Sequence, residues 1–232
     1  VTTADAEPRK ISRVDALHLT LMLALTFSTG VIDAVGYIGL DRVFTGNMTG
    51  NVVILGMALT GANNLPIVGP SIALIAFLAG AVVAGRVLRP IRTGWTGRAT
   101  TLFGVVAGII LALSIVLFAV VETPVLPLAL SVTAALGFAM GMQAGTARHI
   151  AVKDVTTVVV TSTLTALAAD SWLAGGSGQP WKRRAGAVIL IGLGAVTGGF
   201  LVQQQLGYGL ALSGLIVLTV AVVGHRTRIR AS

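Results

Sequence analysis

Across 232 residues, hydrophobic side chains make up 55% of the chain, charged ones only 10%, and the mean hydropathy is +0.92. That balance excludes a water-soluble globular domain, and the absence of cysteine excludes disulfides, thiolate metal sites and thiol chemistry. The net charge of +8 would suit a nucleic-acid binder, but the basic residues fall in short clusters between apolar runs, without an aromatic-interleaved basic surface. Nucleic acid is therefore not an expected partner.

In chain order, residues 1–16 form a segment bearing Arg9, Lys10 and Arg13, assigned to the cytoplasm. The first apolar run, Leu17–Tyr37, is long enough to cross a bilayer. It lacks the small-residue cleavage site of a signal peptide, so it reads as a retained span. Next comes an ambiguous segment, Phe44–Thr60, apolar but rich in Gly, Thr and Asn. Further full-length runs are Ile67–Leu88, Thr100–Val121 and Val125–Ala147, followed by a second ambiguous segment, Val155–Leu173. Ala185–Leu206 and Tyr208–Gly224 complete the set, and residues 226–232 form a basic tail.

Charge placement decides what the two ambiguous segments do. If all eight segments cross, nine basic residues fall on one side and seven on the other, leaving almost no bias. If the two ambiguous segments instead enter and leave on one side, fifteen basic residues share the side of the termini and Arg42 alone lies opposite. The positive-inside rule selects the second arrangement, with both termini and the loop Arg86–Arg98 in the cytoplasm and Gly61–Pro66 outside.

The chain also matches itself. "GAVVAG" at Gly80–Gly85 returns as "GAVTGG" at Gly194–Gly199, "FSTG" at Phe27–Gly30 as "FAMG" at Phe138–Gly141, and "VFTGNMTGNVVIL" from Val43 aligns with "VTTVVVTSTLTAL" from Val155. The offsets are 111 to 114 residues. Each copy holds three crossings, an odd number, so the second copy must be inverted relative to the first. The expected fold is an all-α polytopic membrane protein: six full transmembrane helices plus two broken or re-entrant segments in two inverted repeats, residues 17–123 and 124–225. Such repeats with interrupted helices place binding sites near the bilayer midplane.

The polar residues concentrate at those breaks. Non-helical backbone at membrane depth is tolerated where protein or a water-filled cavity satisfies it. Thr45, Asn47, Thr49 and Asn51 in the first copy, with Gln143, Thr157 and Thr161 in the second, are candidate substrate-binding residues. A helix starting near Thr45, with a partner starting near Thr157, would aim two partly positive N-termini at the midplane. A small anion or polar metabolite could sit between them. Asp33, an ionisable residue inside a span, is the proton-coupling candidate; pairing with Arg42 is its structural alternative. Thr and Asn can equally act as hydrogen-bond glue between helices, and the Gly80–Gly85 and Gly194–Gly199 patches as close-packing faces, open also to homodimer formation. Asp170 is a candidate partner for the nearby basic loop, and Trp172 and Trp181 suit an interfacial belt.

No catalytic constellation is present. No nucleophile context or phosphate-binding GxxxxGK[ST] loop occurs, and His18, His149 and His225 lack ligand spacing. Neither an enzyme, a cofactor nor a metal site is expected. The expected function is a small-solute transporter or channel; the competing class is a structural or partner-binding membrane protein.

The segment "DAVGYIGLDRVFTGNMTGNVVILG", through Asp33, Ala34, Gly36, Tyr37, Phe44, Thr45, Asn47, Met48, Thr49, Gly50 and Asn51, resembles the bacterial YoaK-like membrane family, a domain of unknown function. A weaker likeness lies in "GMQAGTAR" and "VTTVVVTSTLTALA", where Ala144 and Ser162 replace the family's Asn and Gly. The resemblance spans about residues 15–225. It implies a multi-pass protein of the bacterial inner membrane and supplies no substrate.

Overall fold

The computed structural model describes residues 13–61, 65–89, 94–120, 124–150, 160–176 and 181–231. These form eight α-helices: α1 (Arg13–Gly39), α2 (Met48–Ala58), α3 (Val68–Leu88), α4 (Gly97–Phe118), α5 (Leu126–Ile150), α6 (Val160–Ala169), α7 (Trp181–Gln204) and α8 (Leu206–Ala231). A single 3-10 turn follows α6 at Trp172–Ala174. All helices but α2 and α6 are long and apolar enough to cross a membrane, and they coincide with the six expected spans. The chain is a multi-pass membrane protein.

Side-chain proximity fixes how these helices run. Gly137 lies against Ala73, Gly141 against Phe77 and Gly145 against Ala84, so α3 and α5 are parallel. Gly194 lies against Phe27 and Gly198 against Val31 and Ala34, so α1 and α7 are parallel too. Ser114 donates to the Gly207 carbonyl at 2.8 Å near one end of α4, while Gly224 packs on Trp95 near the other, making α4 and α8 antiparallel. The helix ends thus gather into two layers. One holds the C-termini of α1, α4 and α7 with the N-termini of α3, α5 and α8. The other holds Arg86, Arg89, Arg98, Arg148, Lys182, Arg183, Arg184 and Arg226, whereas Arg42 lies in the first.

α1 and α5 occupy the centre. Within their apolar windows α1 is 72% buried and α5 56%, against 22% for α3 and 17% for α7. Each central helix carries an outer parallel partner, and α1 also packs on α8 as α5 packs on α4. The apolar core between them includes Met22, Leu25, Ile32, Phe103, Ile110, Leu136 and Leu210.

The first ambiguous segment contains a shorter helix than its seventeen-residue apolar run suggests. α2 has 11 residues, roughly 16 Å at 1.5 Å per residue, about half a bilayer core. After α1 the chain reverses at Asp41 and Arg42, both at positive φ (65° and 57°), a rare conformation for residues other than glycine. It then runs back alongside α1. The Val43 amide bonds the Gly36 carbonyl at 3.4 Å, and the amides of Thr45 and Gly46 reach Asp33. Gly69, in the first turn of α3, touches Val43. The segment therefore enters and leaves at the same end, as the charge count requires. α6, its counterpart, buries no residue and packs along α7. The Arg184 guanidinium ties its end, donating to the Ala166 carbonyl at 3.0 Å and pairing with Asp170. Trp172 and Trp181 are both exposed at this end.

Candidate functional site

An apolar span that carries Thr26, Ser28, Thr29 and Asp33, all buried, has put polar groups where hydrocarbon would cost nothing. Two of these hydroxyls are spent locally, as is one on α5. Thr26 donates to Met22 at 3.0 Å, Thr29 to Leu25 at 2.9 Å, and Thr146 on α5 to Met142 at 2.8 Å. Ser28 instead faces Ser213 of α8, each hydroxyl directed at the other's carbonyl at about 3.5 Å.

Asp33 is 7% exposed, six residues before the end of α1. Its Oδ1 accepts the Thr45 amide at 3.1 Å and the Gly46 amide at 2.7 Å, and the Asn47 amide also faces the carboxylate. Asn47 is the N-cap of α2, yet its own side chain makes no capping bond. The acid from α1 bonds the amides of the segment that leads into the helix, not those of its first turn, and so places negative charge beside the partly positive helix end. This corrects the expected geometry. The helix begins at Met48 rather than at Thr45, and a carboxylate already fills the place at its N-terminus where an anion was expected.

The expected site residues separate into groups. Asn51, fully buried, brackets Phe44: its Oδ1 accepts the Phe44 amide at 3.0 Å and its Nδ2 donates to the Phe44 carbonyl. Its amide is committed to holding the break in shape. Asn47 is half-buried, whereas Thr49 is exposed on α2. Thr161 is exposed on α6, away from this cluster, and Thr157 lies outside the described residues.

Thr45 and Gln143 remain: Thr45 joins Asp33 through its amide, with its methyl against Gly36, and Gln143 reaches Thr29, one turn before Asp33 on α1. Gln143 of α5, 1% exposed, donates from Nε2 to Thr29 Oγ1 at 3.3 Å. Thr29, Gly46, Met140 and Asp33 meet at one point: a Cβ on Gly46 would lie 2.8 Å from Thr29, 3.1 Å from Met140 and 3.3 Å from Asp33. Any larger residue would have to displace the Thr29 side chain. Two oxygens in this cluster, Thr45 Oγ1 and Gln143 Oε1, are buried without a hydrogen-bond partner. Native interiors seldom leave such groups unpaired, so each calls for an explanation.

Thr29 was absent from the expected set. The signal for it was present, because Thr26, Thr29 and Asp33 recur at helical spacing and share one face of α1.

The profile of a family described as "Protein of unknown function (DUF1275)" matches residues 21–223. Among curated proteins, the chain is similar to the UPF0700 transmembrane protein YoaK of Bacillus subtilis (strain 168), 30% identical over 158 residues, 67% of this chain and 68% of that protein. No solved structure matches the chain.

Proposed function

The chain belongs to the DUF1275 family, and we propose that it is a small-solute transporter or channel of the bacterial inner membrane, built from two inverted repeats. The carrying observation is the polar cluster at the core of the bundle. An intramembrane carboxyl and a crowded glycine meet where the segment before α2 passes between the two central helices, and two buried oxygens without partners sit on residues joined to that cluster, Thr45 and Gln143. A water-soluble core would bury such groups at a cost of about 1–3 kcal/mol each, and a bilayer gives no relief. Because Asp33 already occupies the helix N-terminus, the proposed solute is neutral or cationic rather than anionic.

Reciprocal contacts support the inverted repeats. Gly80 of α3 abuts Phe138 of α5, and Gly194 of α7 abuts Phe27 of α1. Gly141 abuts Phe77, and Gly30 abuts Ile191. Each pair maps onto the other at the offsets of 111 and 114 residues found in the sequence, while α1 and α5, like α3 and α7, run in opposite directions. Gly80 and Gly194 thus face inward, which removes them from any homodimer contact; Gly85 has nothing within 4 Å.

Vesicles containing the purified protein are expected to take up at least one of urea, glycine and methylammonium faster than empty vesicles, and acetate no faster. Gln143→Leu is expected to remove that increment. Uptake of every solute at the rate of empty vesicles would reject the transport reading in favour of a structural role, which the committed hydrogen bonds of Asn51 would suit.

Topology has its own test. Thr60 is exposed near the α3 entry, and Ala174 is exposed beside the basic layer. In this cysteine-free chain, Thr60→Cys is expected to react with an impermeant thiol reagent on intact cells, and Ala174→Cys only after permeabilisation. The opposite labelling would invert the proposed orientation, in which the basic layer and both termini face the cytoplasm.

A further inference from the structure

The cluster around Asp33 is short of hydrogen-bond donors, and that shortage says what it can hold. The one proton of the Thr29 hydroxyl goes to the Leu25 carbonyl, so Thr29 Oγ1 can only accept from Gln143. This fixes the Gln143 amide with its NH2 towards Thr29 and turns Oε1 away as an unpartnered acceptor. Thr45 Oγ1 adds two lone pairs, and its single proton has no acceptor assigned. Asp33 contributes a carboxylate. The α2 N-terminus offsets about half of that charge, so the cluster stays net negative. Lone pairs and one partly neutralised charge suit an occupant of one positive charge.

We infer that Asp33, Thr29, Thr45 and Gln143 form a binding site for a small monovalent cation, either a bare alkali ion or ammonium. Hard oxygen ligands favour such ions, and a single carboxylate balances one positive charge but not two. Neither Thr45 nor Gln143 is more than 1% exposed, so the occupant must shed most of its water and take these oxygens instead. The inference rests on the transport reading in taking the same cluster as the site, and it names the ion that site accepts.

Thr45→Val is the sharpest variant, because it removes an oxygen that makes no bond and keeps the side-chain shape. In detergent, at fixed pH and ionic strength, the thermal midpoint of the wild-type protein is expected to rise as N-methyl-D-glucamine chloride is replaced by sodium, potassium or ammonium chloride. The cation giving the largest rise distinguishes an alkali ion from ammonium. Thr45→Val is expected to weaken the apparent affinity for that cation about tenfold while keeping or raising the midpoint in N-methyl-D-glucamine, since a hydrogen bond to a charged group is worth roughly that factor. A wild-type midpoint identical in all four salts, or a cation increment that Thr45→Val leaves intact, would overturn the inference. Solute uptake by vesicles that persists with no cation effect overturns the cation site alone. A cation effect without any uptake overturns transport and leaves the site standing.

Discussion

On the proposed transport reading, Asp33→Asn is expected to leave a folded protein without solute uptake, whereas Asp33→Leu is expected to release the broken segment from α1. The difference follows from what the carboxylate does. Its Oδ1 receives the amides of both Thr45 and Gly46, and an asparagine oxygen can still accept them without the charge. Losing charge assistance should cost about 1–2 kcal/mol, small enough to preserve the fold. Leucine offers no acceptor, stranding two buried amides at a combined cost of about 3–5 kcal/mol. Hydrogen exchange reads this directly: the Thr45 and Gly46 amides should stay protected in Asp33→Asn and exchange freely in Asp33→Leu. If those amides remain protected in Asp33→Leu, the anchoring role is wrong. If Asp33→Asn supports solute uptake at the wild-type rate, the carboxyl is a structural anchor and has no part in transport.

The spans were readable from sequence because bilayer thickness demands a long apolar run, and every such run became a helix, all within about four residues of their expected ends except that α8 continues seven residues beyond Gly224. Asp33 was readable for a related reason, since an ionisable group inside such a run stands out. Its partner was not. The amides it holds belong to Thr45 and Gly46, twelve and thirteen residues later, and they arrive only because Asp41 and Arg42 turn the chain back at positive φ. Neither residue is a glycine, so no local signal marks that reversal. Asn51 shows the same limit from the other side. In sequence it is a free amide near a site; in the fold both ends of that amide are taken by Phe44. The second half-segment diverges for a physical reason too. "VTTVVVTSTLTAL" lacks every glycine of "VFTGNMTGNVVIL", and the glycines Gly46 and Gly50 are what let the first break press against Thr29 and the Phe44 ring.

The glycines that join the outer helices to the central ones carry the second large effect. Gly80→Val and Gly194→Val should each destabilise the protein by at least ~3 kcal/mol, the upper range for an overpacked contact. A Cβ at Gly80 would collide with the Phe138 carbonyl oxygen, and one at Gly194 with the Phe27 carbonyl oxygen. Both obstacles are backbone, so no rotamer change relieves them and the helix axes must separate. In lipid that separation is costly, because close backbone packing is a main source of helix association there. Gly85→Val and Gly192→Val are matched controls: nothing lies within 4 Å of either position, so their effect should stay near the helix-propensity difference, which favours valine over glycine by less than about 1 kcal/mol. The comparison also tests the repeat. Gly80 and Gly194 belong to different helix pairs, so their effects should be alike in size and add in the double variant. Unfolding midpoints in mixed micelles would supply all five values. A protein that tolerates Gly194→Val as readily as Gly192→Val, yet collapses with Gly80→Val, would show that the two pairs are not equivalent and would remove the strongest support for an inverted repeat.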